Sequence, residues 1–249
     1  KTYVTQQQID SFEQDGFLVV KGMYNEDEIR EICNWTEEVT NYPEIPGKYM
    51  MYFEQSQLEG KTRILSRLED FEPYHAGFSQ LFSGEKMKGN ISQLFGEEAV
   101  LYKDKINFKM PGGDGFKAHQ DVQAGWDRYS KIHITVLVSI DASNLENGCL
   151  EMAVAQHKSG LIGEKWQPLE EDALDYIAIP AEPGDAIFFD SFAPHRSEPN
   201  LTDKARRVLY VTYNKLSEGD HRRQYYIDKR ANYPPDCERD ADKEYVFRV

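Results

Sequence analysis

The texture of the chain changes at Ala99, and that change limits the possible fold more than any other feature. Upstream, apolar residues recur at helical spacing behind side chains suited to opening a helix. Thr5 and Gln8 make a capping pair ahead of Ile9 and Phe12, and Gly16 stops the run. Phe17-Leu-Val-Val20 then reads as a short buried strand. Asn25 and Glu28 repeat the capping pattern before Ile29, Ile32 and Val39, while Ile91, Leu94 and Phe95 suit a helix ending at Gly96. Downstream, strand chemistry fills 99–109, 116–122, 131–141, 148–154, 184–190 and 206–214. Turns at Gly112-Gly113, Asn147-Gly148 and Pro183-Gly184 separate these runs. Helices first and many short strands afterwards predict an α+β chain whose core is an antiparallel sandwich or barrel. Residues 40–75 follow neither periodicity and receive no assignment. No repeat, low-complexity tract or linker interrupts the pattern, so 1–249 reads as a single domain.

The candidate chemistry lies in the strand-rich half. In Phe116-Lys-Ala-His-Gln-Asp-Val122, a strand would turn His119 and Asp121 to one face. His195 follows the 184–190 strand after a bend at Ser191-Phe-Ala-Pro194, 195 − 121 = 74 residues beyond Asp121. Two imidazoles and one carboxylate on one side of an ion leave positions open opposite them, the arrangement of Fe(II) oxygenases. An H-x-D triplet alone is weak, because a solvated strand histidine is the commoner case. Arg206, 206 − 195 = 11 residues after His195, adds to it. A guanidinium fork beside such a metal suits the far carboxylate of 2-oxoglutarate. Strand alternation sets Arg206 with Val208 and Tyr210, so only one of Arg206 and Arg207 faces the pocket. A zinc hydrolase would use similar ligands but gives no reason for that arginine.

The chain resembles the phytanoyl-CoA dioxygenase superfamily over almost its whole length. The likeness runs from Asp15-Gly-Phe-Leu-Val-Val-Lys-Gly22 through His119-Gln-Asp121, Asn147-Gly-Cys-Leu-Glu151 and Pro183-Gly-Asp185. It continues in His195-Arg-Ser-Glu-Pro-Asn200 and Arg206. The resemblance implies a double-stranded β-helix (jelly-roll, cupin-like) core with flanking N-terminal helices. It also implies Fe(II) at His119, Asp121 and His195, with dioxygen and 2-oxoglutarate as co-substrates. Arg206 would hold the 2-oxoglutarate, with Asn107 and Ser197 near it. Gln156 stands where the family usually has Ser, and His157 beside it reads as structural.

Acids outnumber bases 43 to 29, a net charge of −14, which argues against binding nucleic acid or an anionic membrane. It leaves room for a locally basic pocket. Three cysteines without metal-type spacing, and no apolar run near the ~18 residues of a membrane span, make the cytoplasm the default location. Lys103, Lys105, Asn107 and Lys109 alternate with Asp104, Ile106, Phe108 and Met110. If that basic face turns inward rather than to solvent, it favours a small anionic substrate. Tyr213-Asn-Lys-Leu-Ser-Glu-Gly-Asp-His221 and Tyr225-Tyr-Ile-Asp-Lys-Arg230 are similar to a bacterial subgroup of aminophosphonate dioxygenases. That likeness implies hydroxylation of the carbon next to phosphorus in a 2-aminoethylphosphonate-type compound. The expected substrate contacts are Lys105, Lys109, Trp126 and Tyr213, with Trp126 and Tyr129 on a mobile cover or an ordinary surface loop. Tyr213, Tyr225 and Tyr226 would offer an aromatic surface to an ammonium group, or at least two of them serve only as core and rim. The alternatives are a hydroxylase of another small metabolite, such as an osmolyte, amino acid or natural product, and a non-catalytic jelly-roll binding protein.

Overall fold

The structure, a computed structural model, describes residues 3–56, 60 and 62–247. Both capping boxes form. The Thr5 hydroxyl accepts from the Gln8 amide at 3.1 Å, and the Gln8 side chain accepts from the Thr5 amide at 2.8 Å, opening α1 (Gln6–Asp15). Asn25 and Glu28 do the same at 2.9 and 3.0 Å for α2 (Glu26–Thr40), whose buried Ile29, Ile32, Thr36 and Val39 lie at helical spacing. Gly16 ends α1 at φ 87°, and a Cβ there would come 2.6 Å from the His157 ring, so glycine is required twice over. His157 bonds the Glu13 carbonyl at 2.8 Å and docks its loop on α1, a structural part as expected.

Eleven strands follow the helical start among the described residues: β1 (Phe17–Val20), β2 (Met50–Gln55), β3 (Arg63–Glu69), β4 (Ala99–Lys109), β5 (Phe116–His119), β6 (His133–Ser139), β7 (Leu150–Met152), β8 (Ile177–Ala178), β9 (Ala186–Asp190), β10 (His195–Ser197) and β11 (Arg206–Lys215). Three further helices, α3 (Ala76–Ser83), α4 (Asn90–Phe95) and α5 (Arg222–Asn232), complete the set. The strands form two antiparallel sheets, ordered β1-β9-β6-β11-β4-β3-β2 and β5-β10-β7-β8. This is the two-sheet jelly roll. The stretch 40–75 that showed no periodicity supplies β2 and β3, which extend the large sheet past β4.

Alternation on the large sheet divides its two faces. Ile106, Phe108, Val136, Phe188, Leu209, Val211 and Tyr213 point to the helices, where they pack with Phe71, Phe78 and Phe82. Leu137, Ile187, Phe189 and Val208 point the other way, toward Leu150 and Met152 of the small sheet. Phe78 is fully buried between Phe71 and Phe82, with ring centroids 5.1 and 5.7 Å away. Truncating it to alanine would cost about 3–5 kcal/mol. Lys103, Lys105 and Asn107 share the inner face, so the basic series of β4 turns inward rather than to solvent.

Candidate metal centre and its cavity

His119 ends β5, Asp121 opens a 3₁₀ turn at Asp121–Ala124, and His195 opens β10 directly opposite His119. The strand expected over 116–122 therefore stops early. The cause is Gln120, whose backbone amide donates to the Gln123 side chain at 2.8 Å and starts the turn. Gln120 is itself fully buried between the two candidate ligands. Its amide donates to the carbonyls of Gly160 and Phe192 at 2.8 and 2.9 Å and accepts from the Ile162 N–H at 2.8 Å.

His119 and His195 each bring Nε2 to 3.3 Å from Asp121 Oδ1, and the three donor atoms lie within 4.8 Å of one another. Both Nδ1 atoms face carbonyl oxygens, Lys117 at 2.7 Å and Ala193 at 3.0 Å. A carbonyl only accepts, so each Nδ1 carries the proton and each Nε2 turns a lone pair toward Asp121. Burial and the His195 ring hold the His119 imidazole below its ordinary range. Burial would raise the Asp121 carboxyl, but the two imidazoles pull it well below the usual carboxylate range. Two lone pairs and a carboxylate oxygen converging on one point suit a divalent cation of borderline softness.

These groups open into a cavity of about 490 Å³, which Lys103, Lys105, Asn107, Tyr210 and Ser197 also line. Arg206 is buried behind this lining rather than in it, next to Lys109, which bonds the lining residue Ser197. Arg206 Nη2 donates to the Gly148 carbonyl at 2.7 Å, and the same oxygen accepts from Lys109 Nζ at 3.0 Å. Lys109 also donates to Ser197 Oγ at 2.9 Å and to the Glu198 carbonyl. Neither cation has a carboxylate within ion-pair distance among the described residues. Burial lowers both, and the Arg206 charge adds to the effect on Lys109, which falls to about 6. Among the described residues, Arg206 Nε and Asn107 Oδ1 are buried without a hydrogen-bond partner, the condition a polar ligand would relieve. Arg207 turns outward to Asp141 and Glu37, as alternation requires.

Two expectations about substrate contacts, Lys109 and Tyr213, need correction, and Trp126 lines the cavity as expected. Lys109 does not line the cavity; its ammonium is tied up beside Arg206 and Ser197. Tyr213 lies on the opposite face of β11, fully buried among the helices, with its hydroxyl donating to the Phe82 carbonyl at 2.5 Å. Trp126 lines the cavity as a packed wall rather than a mobile cover, held against Tyr102, His133 and Tyr225 with centroids 5.4, 5.1 and 6.5 Å away. Of the other tyrosines, Tyr225 lines the cavity, while Tyr226 is buried behind it and bonds Asp104.

Sequence reasoning missed a second group of charges. Glu69 on β3 is fully buried and pairs with Arg67 at 3.0 Å, Lys103 at 3.6 Å and Lys229 of α5 at 2.6 Å. Burial alone would raise its carboxyl, but these cations hold it far below the usual range. Arg67, Lys103 and Lys229 all line the same cavity as the metal candidates. The available signal was Arg67 and Glu69 two apart in a stretch with buried neighbours, but nothing local connected it to Lys229.

Comparison with known proteins agrees with the geometry. A 2-aminoethylphosphonate dioxygenase from the uncultured bacterium HF130_AEPn_1 is 44% identical, covering 98% of this chain and 94% of the relative. A methylphosphonate hydroxylase from Gimesia maris is 40% identical, covering 93% and 89%. Among solved structures, EctD from S. alaskensis with 2-oxoglutarate and 5-hydroxyectoine superposes with a TM-score of 0.73 at 19% identity, over 86% of this chain and 77% of that one. The sequence model of the phytanoyl-CoA dioxygenase family matches residues 12–208, and the chain belongs to that family.

Proposed function

We propose that this chain is an iron(II)- and 2-oxoglutarate-dependent hydroxylase of a small organophosphonate, acting on the carbon bonded to phosphorus. The observation that carries this is the convergence of His119, Asp121 and His195, with both Nδ1 protons engaged by backbone carbonyls. On this reading those three side chains hold the iron and Arg206 takes the far carboxylate of 2-oxoglutarate, with Ser197 and Asn107 beside it. Bound iron supplies the activation of dioxygen. The overall change is C–H + 2-oxoglutarate + O₂ → C–OH + succinate + CO₂. Gln120 is a positioning residue, because it joins the turn between two ligands to the loops at Gly160 and Phe192. Trp126, Tyr210 and Tyr225 wall the cavity and keep bulk water from the reacting carbon.

The phosphonate assignment draws on the two relatives at 44% and 40% identity and on the cations lining the cavity. A cytoplasmic setting belongs to the same proposal and can be checked by cell fractionation. The three cysteines are free thiols, as a reducing compartment keeps them, and no helix among the described residues is long and apolar enough to cross a membrane. The test is succinate release by anaerobically iron-loaded protein given 2-oxoglutarate, oxygen and a panel of phosphonates. Turnover should rise with one phosphonate, stop on chelation, return with Fe(II) but not Zn(II), and be absent in His119→Ala. If no phosphonate raises succinate above the uncoupled rate, the substrate assignment is wrong. If 2-oxoglutarate is never consumed, the enzyme class is wrong as well.

A further inference from the structure

The cavity holds more positive charge than its co-substrate requires. Arg67, Lys103, Lys105 and Lys229 line one region of it, and among the described residues Glu69 is the only carboxylate within ion-pair distance of any of the four. Fully protonated, the four cations exceed the one anion by 4 − 1 = 3 charges; burial lowers Lys229 as well as Lys105, so full charge there calls for an anionic ligand. Lys105 makes no ion pair at all among the described residues. Its ammonium lies 4.7 Å from the Tyr210 ring centroid and 5.9 Å from that of Phe116. Burial first, then the Lys103 and Arg67 charges, pull it down to about 7.

Lys103 stands apart from the cations at Arg206, with Lys105 between the two groups: the Lys105 and Lys109 ammoniums lie 5.9 and 6.0 Å from the same Phe116 ring. Lys103 and Lys109 stand six positions apart on β4, roughly 20 Å at strand rise. Strand pairing places Arg67 beside Asn107 and Glu69 beside Lys105, so one sheet face presents the β3 and β4 members, and Lys229 reaches them from α5. Aromatic rings support the cations from behind and beside: Tyr52 lies 4.5 Å and Phe247 4.8 Å from the Arg67 guanidinium, and Trp126 lies 5.4 Å from the Lys103 ammonium. A ring makes no strong hydrogen bond, so it leaves the N–H donors facing the cavity. Glu69 gathers three cations into one place and is too little charge to neutralise them.

We propose that Arg67, Lys103, Lys105 and Lys229, gathered around Glu69, form a seat for a doubly charged tetrahedral oxyanion, the phosphonate group of the substrate. This rests on the phosphonate reading above and names where that group binds. A phosphonate brings two charges and three acceptor oxygens to several separate donors. A carboxylate or sulfonate brings one charge and leaves two cations of the seat uncompensated. The second anion seat, at Arg206, stays with 2-oxoglutarate.

The test is calorimetric titration, under nitrogen, of iron-loaded protein saturated with 2-oxoglutarate. The titrants are 2-aminoethylphosphonate, its sulfonate and carboxylate counterparts, and inorganic phosphate. The phosphonate should bind at least about ten times tighter than either monoanion. Lys105→Met removes no ion pair and so leaves the Glu69 cluster intact. It should weaken phosphonate binding by roughly 10- to 100-fold, while the affinity for 2-oxoglutarate, read from its charge-transfer absorbance with iron, stays within about threefold. Arg67→Met should give the same pattern. Loss of 2-oxoglutarate affinity with phosphonate affinity kept would assign Lys105 to the co-substrate and overturn the seat. Hydroxylation of phosphonates with unchanged KM in both variants would also overturn it, leaving the proposed function standing. Binding of phosphate that depends on Lys105 and Arg67, with no phosphonate hydroxylated, would support the seat and sink the phosphonate substrate.

Discussion

Arg206→Met separates the energetics of the co-substrate from those of the fold. The guanidinium is almost wholly buried, bonds one backbone carbonyl at 2.7 Å, and has no acid within ion-pair distance among the described residues. A buried cation without a counter-ion costs the fold several kcal/mol in desolvation, about what a carboxylate partner would offset. Methionine keeps the length of the stem and removes that cost. Without 2-oxoglutarate, the variant should melt at or above the wild-type temperature. With 2-oxoglutarate at 100 times its Kd, wild type gains about 2.7 kcal/mol, which for a chain of this size is roughly 5–10 °C in Tm. Losing two charge-assisted hydrogen bonds, at about 1.5 kcal/mol each, weakens binding about 100-fold. At the same concentration the variant then gains only about 0.4 kcal/mol, or roughly 1 °C. Differential scanning fluorimetry of iron-loaded protein under nitrogen reads both quantities. A fall of more than about 5 °C without 2-oxoglutarate would make Arg206 a structural residue. A full ligand-induced shift in the variant would refute its role in binding.

Three further outcomes are expected. Gly148→Ala would force φ 77° on alanine and push its Cβ into the Glu198 carbonyl and within 2.9 Å of Lys109 Nζ. The backbone penalty is about 1–2 kcal/mol, and because Gly148 O is the shared acceptor of Arg206 and Lys109, the KM for 2-oxoglutarate should rise at least about tenfold. Burial raises the Asp190 carboxyl to about 6, so the folded state holds its proton longer than the unfolded chain does. Its destabilising effect is absent below about pH 4, grows as pH rises to 6, and is complete above that, about 3 kcal/mol at most. Asp190→Asn keeps the acceptor for the Phe192 N–H; it should raise Tm at pH 7.5 and make no difference near pH 4. Tyr213→Phe removes only the bond to the Phe82 carbonyl. It should cost about 1 kcal/mol in a urea melt and leave kcat and KM unchanged.

The parts legible in the sequence were those governed by local rules. Thr5, Asn25 and Gly16 announce helix ends because capping needs only residues three or four apart. The extents of β4 and β11 match their expected runs within a residue, since both strands have one apolar face and one mixed face. The same parity could have corrected Tyr213, for if Arg206, Val208 and Tyr210 face inward then an odd-numbered residue faces out. His119, Asp121 and His195 came together as expected, although the strand carrying the first two was drawn too long. Gln120 prefers two carbonyls and an amide from distant loops to continued pairing, and no pattern in 116–122 reveals that. The cluster at Glu69 was invisible for a similar reason. Its members come from β3, β4 and α5, and only the folded sheet and the returning helix bring Lys229 within 2.6 Å of Glu69.

His195 stands across from His119 because β10 pairs with β5 in that register. The spacing of the two imidazoles is thus a property of the sheet, set by backbone hydrogen bonds before any ion arrives. Such a rigid pair has little means of choosing among divalent ions by its own adjustment. Nickel and copper, and to a lesser degree cobalt, bind nitrogen and oxygen donors more strongly than Fe(II) does, and zinc competes as well. The protein's selectivity then comes from outside it, from which metal the cell supplies in excess while the chain folds. Preparations made in different media should differ in specific activity through metal occupancy, with the same fold throughout.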